Sequence, residues 1–297
     1  MIEAEKTATR VGYQGVPGAY SEEALVVALP KVEAVSVRTL ADLFAALDAG
    51  EIDQAFVPVE NSHAGSVVEA WDLMVDHDAC VLGEWIQPVS HLLLGMPGAR
   101  VSDIVRVYSH PQALAQTAAY LREAGLDSEP YYDTAGAAQM VAEHQDRRYA
   151  AVAGRLAGER YGLTVLADGI QTSADNATRF FFLAPGPWRM ERTVQTAAPG
   201  KTSLVFSTEH RPGSLVRALS CFSREQVNLS RVESRPSRRK PWEYLFFTDV
   251  EGYASDMHVH AALRELTRLN PFVHILGSYP AALEPAETRQ TVDGGVA

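Results

Sequence analysis

Cysteine is scarce in this chain, with only Cys80 and Cys221 among its 297 residues. Two cysteines cannot build a disulfide framework or a cysteine metal cluster, so we expect no bound metal and a reducing, cytoplasmic environment. The N-terminal sequence MIEAEKTATR lacks the apolar stretch of a secretory signal. The sequence also lacks a run of about 18 apolar residues, so we expect no membrane-spanning segment.

Positive charge is also in short supply, because 26 Lys and Arg stand against 37 Asp and Glu, for a formal net charge of −11. This balance argues against a general nucleic-acid or anionic-membrane binder, and we expect neither partner. The deficit belongs to residues 1–199, where 14 Lys and Arg against 26 Asp and Glu give a net charge of −12. The hydrophobic content of 46% and the charged content of 21% are typical of a globular protein.

The length predicts about two domains. Short apolar runs alternate with amphipathic stretches from residue 11 to about 183, the pattern of an α/β domain. Strands are predicted at 32–37, 54–59, 103–109, 149–154 and 179–184. Helices are predicted for TLADLFAALDA, which ends before Gly50, and for PQALAQTAAYLREA, which begins at Pro111. We therefore predict a mostly parallel sheet with helices between its strands.

A segment rich in Pro and Gly follows residue 183 and is typical of a linker. The elements after it are predicted in the order βαββαβ, a ferredoxin-like unit. The last residues contain few apolar side chains, which favours disorder. The predicted division is a first domain at 8–187, a second domain at 200–281 and a disordered tail at 282–297.

Three glycines, Gly12, Gly15 and Gly18, precede a predicted helix that begins at Ser21. Glycine lets the backbone approach a ligand closely, and a helix start capped by Ser21 offers N–H groups to an anion. The spacing GxxGxxG differs from the GxGxxG fingerprint of dinucleotide sites. A tight turn with a capping serine is the alternative interpretation.

Polar residues gather where a predicted strand ends, at Glu60, Asn61, Ser62 and His63. Open α/β sheets bind ligands at the carboxyl ends of their strands, but a capped helix start explains Asn61 or Ser62 equally well. His63 is either an acid or base near neutral pH or a solvated loop residue.

Two further segments carry polar side chains next to apolar elements. Ser109 precedes a predicted helix on which Gln112 and Gln116 share one face, although surface glutamines are common. The segment QTSADNATRF at 171–180 places Arg179 at the edge of an apolar strand, either paired within the protein or aimed at a carboxylate. A Walker motif, HExxH, G-x-S-x-G and metal-ligand spacings are all missing, so we expect chemistry without a cofactor.

Taken together, these segments resemble the prephenate dehydratase family from about residue 11 to 279. The family's Thr-Arg-Phe signature is found at Thr178, Arg179 and Phe180, its P-x-E-N-S segment at 58–62 and its S-H-P-Q segment at 109–112. GSLV at 213–216 and ESRP at 233–236 resemble the family's G-A-L-V and E-S-R-P motifs, with Ser214 in place of the usual alanine. The resemblance implies an α/β fold with a two-lobed catalytic domain like the type II periplasmic binding proteins, followed by a ferredoxin-like βαββαβ ACT domain.

The resemblance also implies an activity. The chain is expected to be a lyase that converts prephenate to phenylpyruvate in phenylalanine biosynthesis, with loss of carbon dioxide and water. L-Phenylalanine is the expected allosteric effector, and a homodimer or homotetramer is the expected assembly. Two alternatives remain open: an arogenate dehydratase, because YQGVPGAYSE also resembles the plant enzymes, and a non-catalytic small-molecule-binding protein.

Three groups of site residues follow from the resemblance and from the segments that carry it. The expected catalytic residues are Thr178, as hydrogen-bond donor to the leaving hydroxyl, together with Glu60, Asn61, Ser109 and Gln116. The expected substrate-binding residues are Ser21, Ser62, Thr172, Ser173, Asn176, Arg179 and Phe180. The expected effector-binding residues are Gly213, Ser214, Leu215, Val216, Glu233, Ser234, Arg235 and Pro236. Glu60 or His63 would relay a proton if its pKa were raised. Affinity for a dianion is expected from Arg179 and a few helix N-termini.

Overall fold

The computed structural model describes residues 8–173, 175–237 and 243–282. These residues form two compact units. The first unit contains the described residues up to Ala70 and those from Ile86 to Phe180, and the second contains 71–85 and the residues from 181 onward. The domain boundaries at 8–187 and 200–281 stay predictions, and the predicted tail beyond residue 282 lies outside the described residues.

One sheet of the first unit is built by the glycine-rich N-terminal part. Its elements are β1 (Arg10–Gln14), α1 (Tyr20–Ala28), β2 (Glu33–Val37), α2 (Leu40–Asp48), β3 (Gln54–Asn61) and β4 (Gly65–Ser66). β1 pairs in parallel with β2 and β3, and the short β4 turns back antiparallel to β3. Leu43 and Phe44 on α2 and Phe56 on β3 are fully buried, so burial of this apolar face stabilises the layer.

The other sheet of the first unit has five strands. Its elements are β6 (Leu92–Gly95), β7 (Arg106–Ser109), α4 (Pro111–Glu123), β8 (Asp127–Pro130), α5 (Thr134–His144), β9 (Tyr149–Ala153), α6 (Arg155–Tyr161) and β10 (Thr164–Ala167). The order is β10-β6-β9-β7-β8. β7 is parallel to β8 and β9, but β6 is antiparallel to β9 and β10. This sheet is therefore mixed, whereas the sequence predicted a mostly parallel one. The antiparallel strands β6 and β10 could not be predicted, because four residues are too few to show a periodic pattern.

Helix α4 illustrates how the sequence positions polar groups. His110 caps its start by accepting a hydrogen bond from the Gln112 N–H, and proline at the first position needs no partner for its nitrogen. Ala113, Thr117 and Leu121 recur every fourth residue and form the buried face. Gln116 lies beside this face and is half-buried.

The second unit contains the predicted ferredoxin-like order. Its elements are α3 (Val68–Asp76), which begins in the first unit, β5 (Ala79–Pro88) and β11 (Ala177–Pro185), which each belong to both units, and β12 (Gly200–Ser207), α7 (Ser214–Arg224), β13 (Leu229–Pro236), β14 (Tyr244–Glu251), α8 (Met257–Leu269) and β15 (Phe272–Pro280). β13, β14, β12 and β15 pair antiparallel in that order, which confirms the βαββαβ prediction. Phe206, Phe222 and Leu266 belong to the core between this sheet and its two helices.

Within the described part of the chain, every helix is too short or too polar to cross a membrane.

Candidate active site

A cavity of about 1070 Å³ lies in the first unit. Its wall includes the starts of three helices: Tyr20 and Ser21 of α1, Gln112 of α4 and Thr134 of α5. The structure brings five of the predicted site residues to this wall, which are Ser21, Asn61, Gln116, Asn176 and Thr178. Segments far apart in the sequence therefore converge on one cavity.

Four of these side chains form a hydrogen-bonded chain. The Asn61 Nδ2 group donates to Asn176 Oδ1 at 2.8 Å and to Thr178 Oγ1 at 3.1 Å. The Asn176 Nδ2 group donates to Gln116 Oε1 at 3.0 Å. Asn176 is buried, so its amide depends on these partners. These hydrogen bonds link strand β3, helix α4 and the start of strand β11.

His91, which is not among the residues predicted from the sequence, extends this series of hydrogen bonds. Its Nε2 lies 2.6 Å from Gln116 Oε1, its Nδ1 lies 2.6 Å from the Tyr20 hydroxyl, and its backbone N–H donates to Gln171 Oε1. The side chain lines the cavity although the residue is only 3% exposed. Burial lowers the pKa of His91, and the hydrogen bond to Gln116 opposes this only in part. The one signal in the sequence was a histidine just before the apolar run LLLG, which is equally typical of a core residue.

Arginine reaches the cavity in a different place from the one predicted. Arg179 lies outside the cavity lining, pairs with Glu60 at 3.7 Å and has a side chain only 11% exposed. Successive side chains on a strand point to opposite faces, so Thr178 can line the cavity while Arg179 cannot. Arg38, exposed at the end of β2, lines the cavity instead. Glu60, which was predicted to be catalytic, also lies outside the cavity lining.

Three hydroxyl residues of the predicted site lie outside the cavity lining and make hydrogen bonds within the protein. Ser62 Oγ donates to the Asp175 carbonyl and accepts from the Ala177 N–H. Thr172 donates to the Gln116 carbonyl through both its backbone N–H and its hydroxyl. Ser173 Oγ accepts the Asp175 N–H at 3.4 Å. These contacts join Thr172 to helix α4 and join Asp175 and Ala177 to Ser62, the residue that follows β3.

Two other predicted site residues belong to the protein core. Ser109 is fully buried and donates its hydroxyl hydrogen to the Val152 carbonyl at 2.5 Å. Phe180 is buried and stacks on Phe56, with ring centroids 4.4 Å apart. Ser109 was predicted to be catalytic and Phe180 to bind substrate, but the structure buries both side chains, one in a hydrogen bond to the backbone and the other in an aromatic stack.

The prediction of Ser21 as a helix cap needs a correction as well. Helix α1 begins at Tyr20, and Ala19 occupies the capping position. Ser21 therefore lies inside the first turn, where it lines the cavity. Gly15 adopts a φ of +122°, a conformation that favours glycine, in the turn between β1 and α1. His63 is exposed in the turn after β3, and its backbone N–H donates to Asn61 Oδ1.

A second cavity, of about 820 Å³, lies in the second unit. Four predicted effector residues line it at the start of α7: Gly213, Ser214, Leu215 and Val216. The ESRP segment lies elsewhere on the sheet. Its Arg235 pairs with Asp72 at 2.7 Å, and its Glu233 pairs with Arg231. Ser234 and Pro236 are exposed on the same strand.

The described residues include no group of three or more His, Cys, Asp or Glu side chains that could hold a metal ion. The first unit thus has two sheets around a polar, hydrogen-bonded cavity, and the second has the ACT topology. This combination defines a class of α/β proteins in which a unit with a polar small-molecule cavity is joined to a ferredoxin-like unit. The chain belongs to the prephenate dehydratase family, because the family model for prephenate dehydratase matches residues 11–187, and the ACT domain model matches residues 202–268.

Relatives and solved structures agree with this assignment. Arogenate dehydratase 1 of Petunia hybrida is 41% identical over 294 residues, which cover 93% of this chain and 68% of that protein. Arogenate dehydratase/prephenate dehydratase 2, chloroplastic, of Arabidopsis thaliana is 41% identical over 285 residues, covering 91% and 72%. The prephenate dehydratase of Arthrobacter aurescens in complex with L-Phe is 30% identical with a TM-score of 0.83, covering 96% of this chain and 99% of that one. GqqA, described as a novel type of quorum quenching acylase, has a TM-score of 0.85 at 35% identity, covering 94% and 99%.

The comparisons bear on three expectations. The fold class is α/β with a C-terminal ACT domain, as predicted, and the chain is a lyase of the dehydratase type. The expectation of a cytoplasmic protein is contradicted, because several Arabidopsis relatives are described as chloroplastic. That expectation rested on scarce cysteine and the missing secretory signal, and neither feature separates the cytoplasm from a plastid, which uses a different type of leader.

Proposed function

We propose that the first unit converts prephenate to phenylpyruvate, and that arogenate is the alternative substrate. Prephenate carries two carboxylates and a ring hydroxyl. It loses carbon dioxide and water together, and the ring becomes aromatic. Aromatisation supplies the driving force, so the protein has to assist the departure of the hydroxyl and hold a dianion in place.

The hydrogen-bond state of Thr178 carries this proposal. A hydroxyl has one hydrogen to donate and two lone pairs to accept with. Thr178 Oγ1 accepts from the Asn61 Nδ2 group, which cannot itself accept a hydrogen bond. The Thr178 hydrogen is therefore left to donate elsewhere, and its side chain lines the cavity. A donor held in this way suits the leaving hydroxyl of the substrate.

The cavity also supplies positive potential for two carboxylates. The N-termini of α1, α4 and α5 face it, and each helix N-terminus carries about half a positive charge. Arg38 adds a full charge at the exposed rim. We assign Arg38 to one carboxylate and the helix starts, with Ser21 and Gln112, to the other. This local arrangement overcomes the net charge of −12 of residues 1–199.

The remaining predicted residues support the wall in this proposal. Asn61, Gln116 and Asn176 orient the donor groups, and Ser62, Thr172 and Ser173 hold the segment that precedes β11. Glu60 and Arg179 act as an ion pair outside the cavity. We assign no proton relay to Glu60 or His63, because both lie outside the cavity lining.

We further propose that the second cavity binds L-phenylalanine and that the chain acts as a homodimer or homotetramer. Gly213, with a φ of +78°, precedes α7, so the backbone N–H groups of that helix start can meet a carboxylate. Glu209 and Glu243 in the lining can meet an ammonium group, and Phe246 and Pro271 offer apolar surface to a ring. The Arthrobacter relative with bound L-Phe supports the choice of ligand. Phenylalanine is expected to lower dehydratase activity.

One experiment tests the function. The purified chain is incubated with prephenate and with arogenate, each with and without millimolar L-phenylalanine, and the products are identified by chromatography. Phenylpyruvate from prephenate supports the main proposal, and phenylalanine formed mainly from arogenate supports the alternative. Binding of either substrate without turnover would indicate a non-catalytic binding protein. Light scattering with and without phenylalanine gives the oligomeric state.

A further inference from the structure

The orientations of the amide side chains around Thr178 can be deduced in sequence, starting from the backbone. The His63 and Ala64 N–H groups both donate to the Asn61 side-chain oxygen, at 3.1 and 2.9 Å. Backbone N–H groups can only donate, so this oxygen must be the Oδ1 acceptor and the other atom must be the Nδ2 donor. The turn after β3 therefore fixes which way the Asn61 amide faces.

The fixed orientation of the Asn61 amide determines the orientations of the Asn176 and Gln116 amides. Asn61 Nδ2 donates to Asn176, so the atom facing it is Oδ1 and the Asn176 Nδ2 group points to Gln116. The Gln116 atom that receives this bond must then be Oε1. The Gln116 Nε2 group is left with no hydrogen-bond partner among the described residues, at the wall of the cavity.

The protonation of His91 follows from the same chain. Gln116 Oε1 can only accept, so His91 Nε2, 2.6 Å away, must carry a hydrogen and donate it. In a neutral imidazole the other nitrogen, Nδ1, is then an acceptor, and the Tyr20 hydroxyl lies 2.6 Å from it. The titratable group that faces His91 on its other side is Tyr20 of α1, whose pKa burial raises, so its hydroxyl keeps its hydrogen. The Ser90 carbonyl is a second acceptor for this hydrogen at 3.2 Å, but the His91 nitrogen is closer.

We propose that His91 is a positioning residue of the active site, which acts by donating its Nε2 hydrogen to Gln116 and so holds the Gln116 amide nitrogen toward the substrate. Without this donor, Gln116 Oε1 keeps only the hydrogen bond from the Asn176 Nδ2 group, so one contact instead of two holds the amide. The Gln116 amide can then shift from its position at the cavity wall, and the link through Asn176 to Asn61 and Thr178 would loosen. This inference rests on the proposed dehydratase function for its kinetic consequences and on the hydrogen-bond geometry for the tautomer.

A matched pair of variants separates this role from a structural one. The carboxamide of glutamine reaches as far as the imidazole Nε2, whereas that of asparagine reaches only as far as Nδ1. We expect His91→Gln to keep kcat/KM within about threefold of the wild type, because it retains a donor to Gln116. His91→Asn should lower kcat/KM by about 10- to 100-fold through misplacement of the cavity groups. Melting temperatures of both variants check that each is folded.

A double-mutant cycle tests whether His91 acts through Gln116. In a Gln116→Ala background, His91→Asn should change kcat/KM by less than about twofold, because neighbouring residues that share one role are not additive. The full His91→Asn loss in that background, or equal losses in His91→Gln and His91→Asn, would overturn the proposal.

A second readout does not depend on activity. In protein labelled with ¹⁵N at its nine histidines, long-range ¹H–¹⁵N spectra should contain a neutral Nε2–H histidine whose signals disappear in His91→Gln. An Nδ1–H tautomer for that residue would refute the inference. If the tautomer is found but the wild type lacks dehydratase activity, the proposed function fails and the deduced hydrogen-bond chain stands.

Discussion

Replacing Thr178 with valine removes one hydroxyl and little else, because valine has nearly the same shape. Thr178 Oγ1 is one of three acceptors near the Asn61 Nδ2 group, and the other two, Asn176 Oδ1 and the Ala177 carbonyl, remain in the variant. The Asn61 Nδ2 group therefore keeps two acceptors, one for each of its two hydrogens. We expect a loss of stability of about 1 kcal/mol at most, which lowers the melting temperature by roughly 2–4 °C.

The effect of this change on catalysis should be much larger. Removing one donor that serves the transition state typically costs about 10²- to 10³-fold in rate, or roughly 3–4 kcal/mol. We expect Thr178→Val to lower kcat by that factor. KM for prephenate should change little, because Arg38 and the helix N-termini bind the substrate's carboxylates before the reaction. Thr178→Ser is the control, since it restores the donor, and it should keep kcat within about tenfold.

The assay follows phenylpyruvate formation from prephenate at saturating substrate, with the melting temperature measured on the same samples. A kcat of Thr178→Val within about threefold of the wild type would refute the assignment of Thr178 as donor to the leaving hydroxyl. An equal loss in Thr178→Ser and Thr178→Val would also count against it, because only the serine variant retains a hydroxyl.

Three further predictions concern charge, pH and the effector. Arg38→Ala should raise KM for prephenate about 10-fold, as a carboxylate contact is lost, with kcat nearly unchanged; steady-state kinetics check this, and an unchanged KM contradicts it. Burial lowers the pKa of His91 below its usual 6.5, so its contribution to stability is present above pH 6.5 and is lost as the pH falls through the lowered value. The drop in melting temperature from pH 7.5 to pH 5.0 should therefore be smaller in His91→Gln than in the wild type, and equal drops in the two proteins would rule this out. Gly213→Val should weaken L-phenylalanine binding at least 10-fold in calorimetry, because a β-branched residue is strained at a φ of +78°; unaltered affinity would exclude the second cavity as the effector site.

Much of the fold could be predicted from local patterns. The runs that became β3, β9 and β11 and the helices α2 and α4 follow from apolar periodicity, Pro111 and the glycines after the helices. The βαββαβ order of the second unit was predicted for the same reason. The strands β6 and β10 were not predicted, because four residues are too few to show a periodic pattern. Their antiparallel pairing also depends on neighbours far away in the chain.

The site could be predicted only in part, because a motif identifies a segment and not the direction of each side chain. Thr178 and Arg179 are adjacent in one signature, yet one lines the cavity and the other pairs with Glu60. Ser109 belongs to the S-H-P-Q segment, and its hydroxyl donates a hydrogen bond to the Val152 carbonyl in the core. Burial and hydrogen-bond partners decide such cases, and neither can be read from composition.

The sequence by itself determined the family, the βαββαβ order of the second unit and the segments that meet at the cavity, because these depend on residue type and local spacing. Only the tertiary structure decided that Arg38 is an arginine of the cavity wall and that His91 is joined through Gln116, Asn176 and Asn61 to Thr178. These contacts join residues separated by up to 117 positions. A hydrogen bond depends on distances of about 3 Å and on direction, and the folded chain alone fixes both.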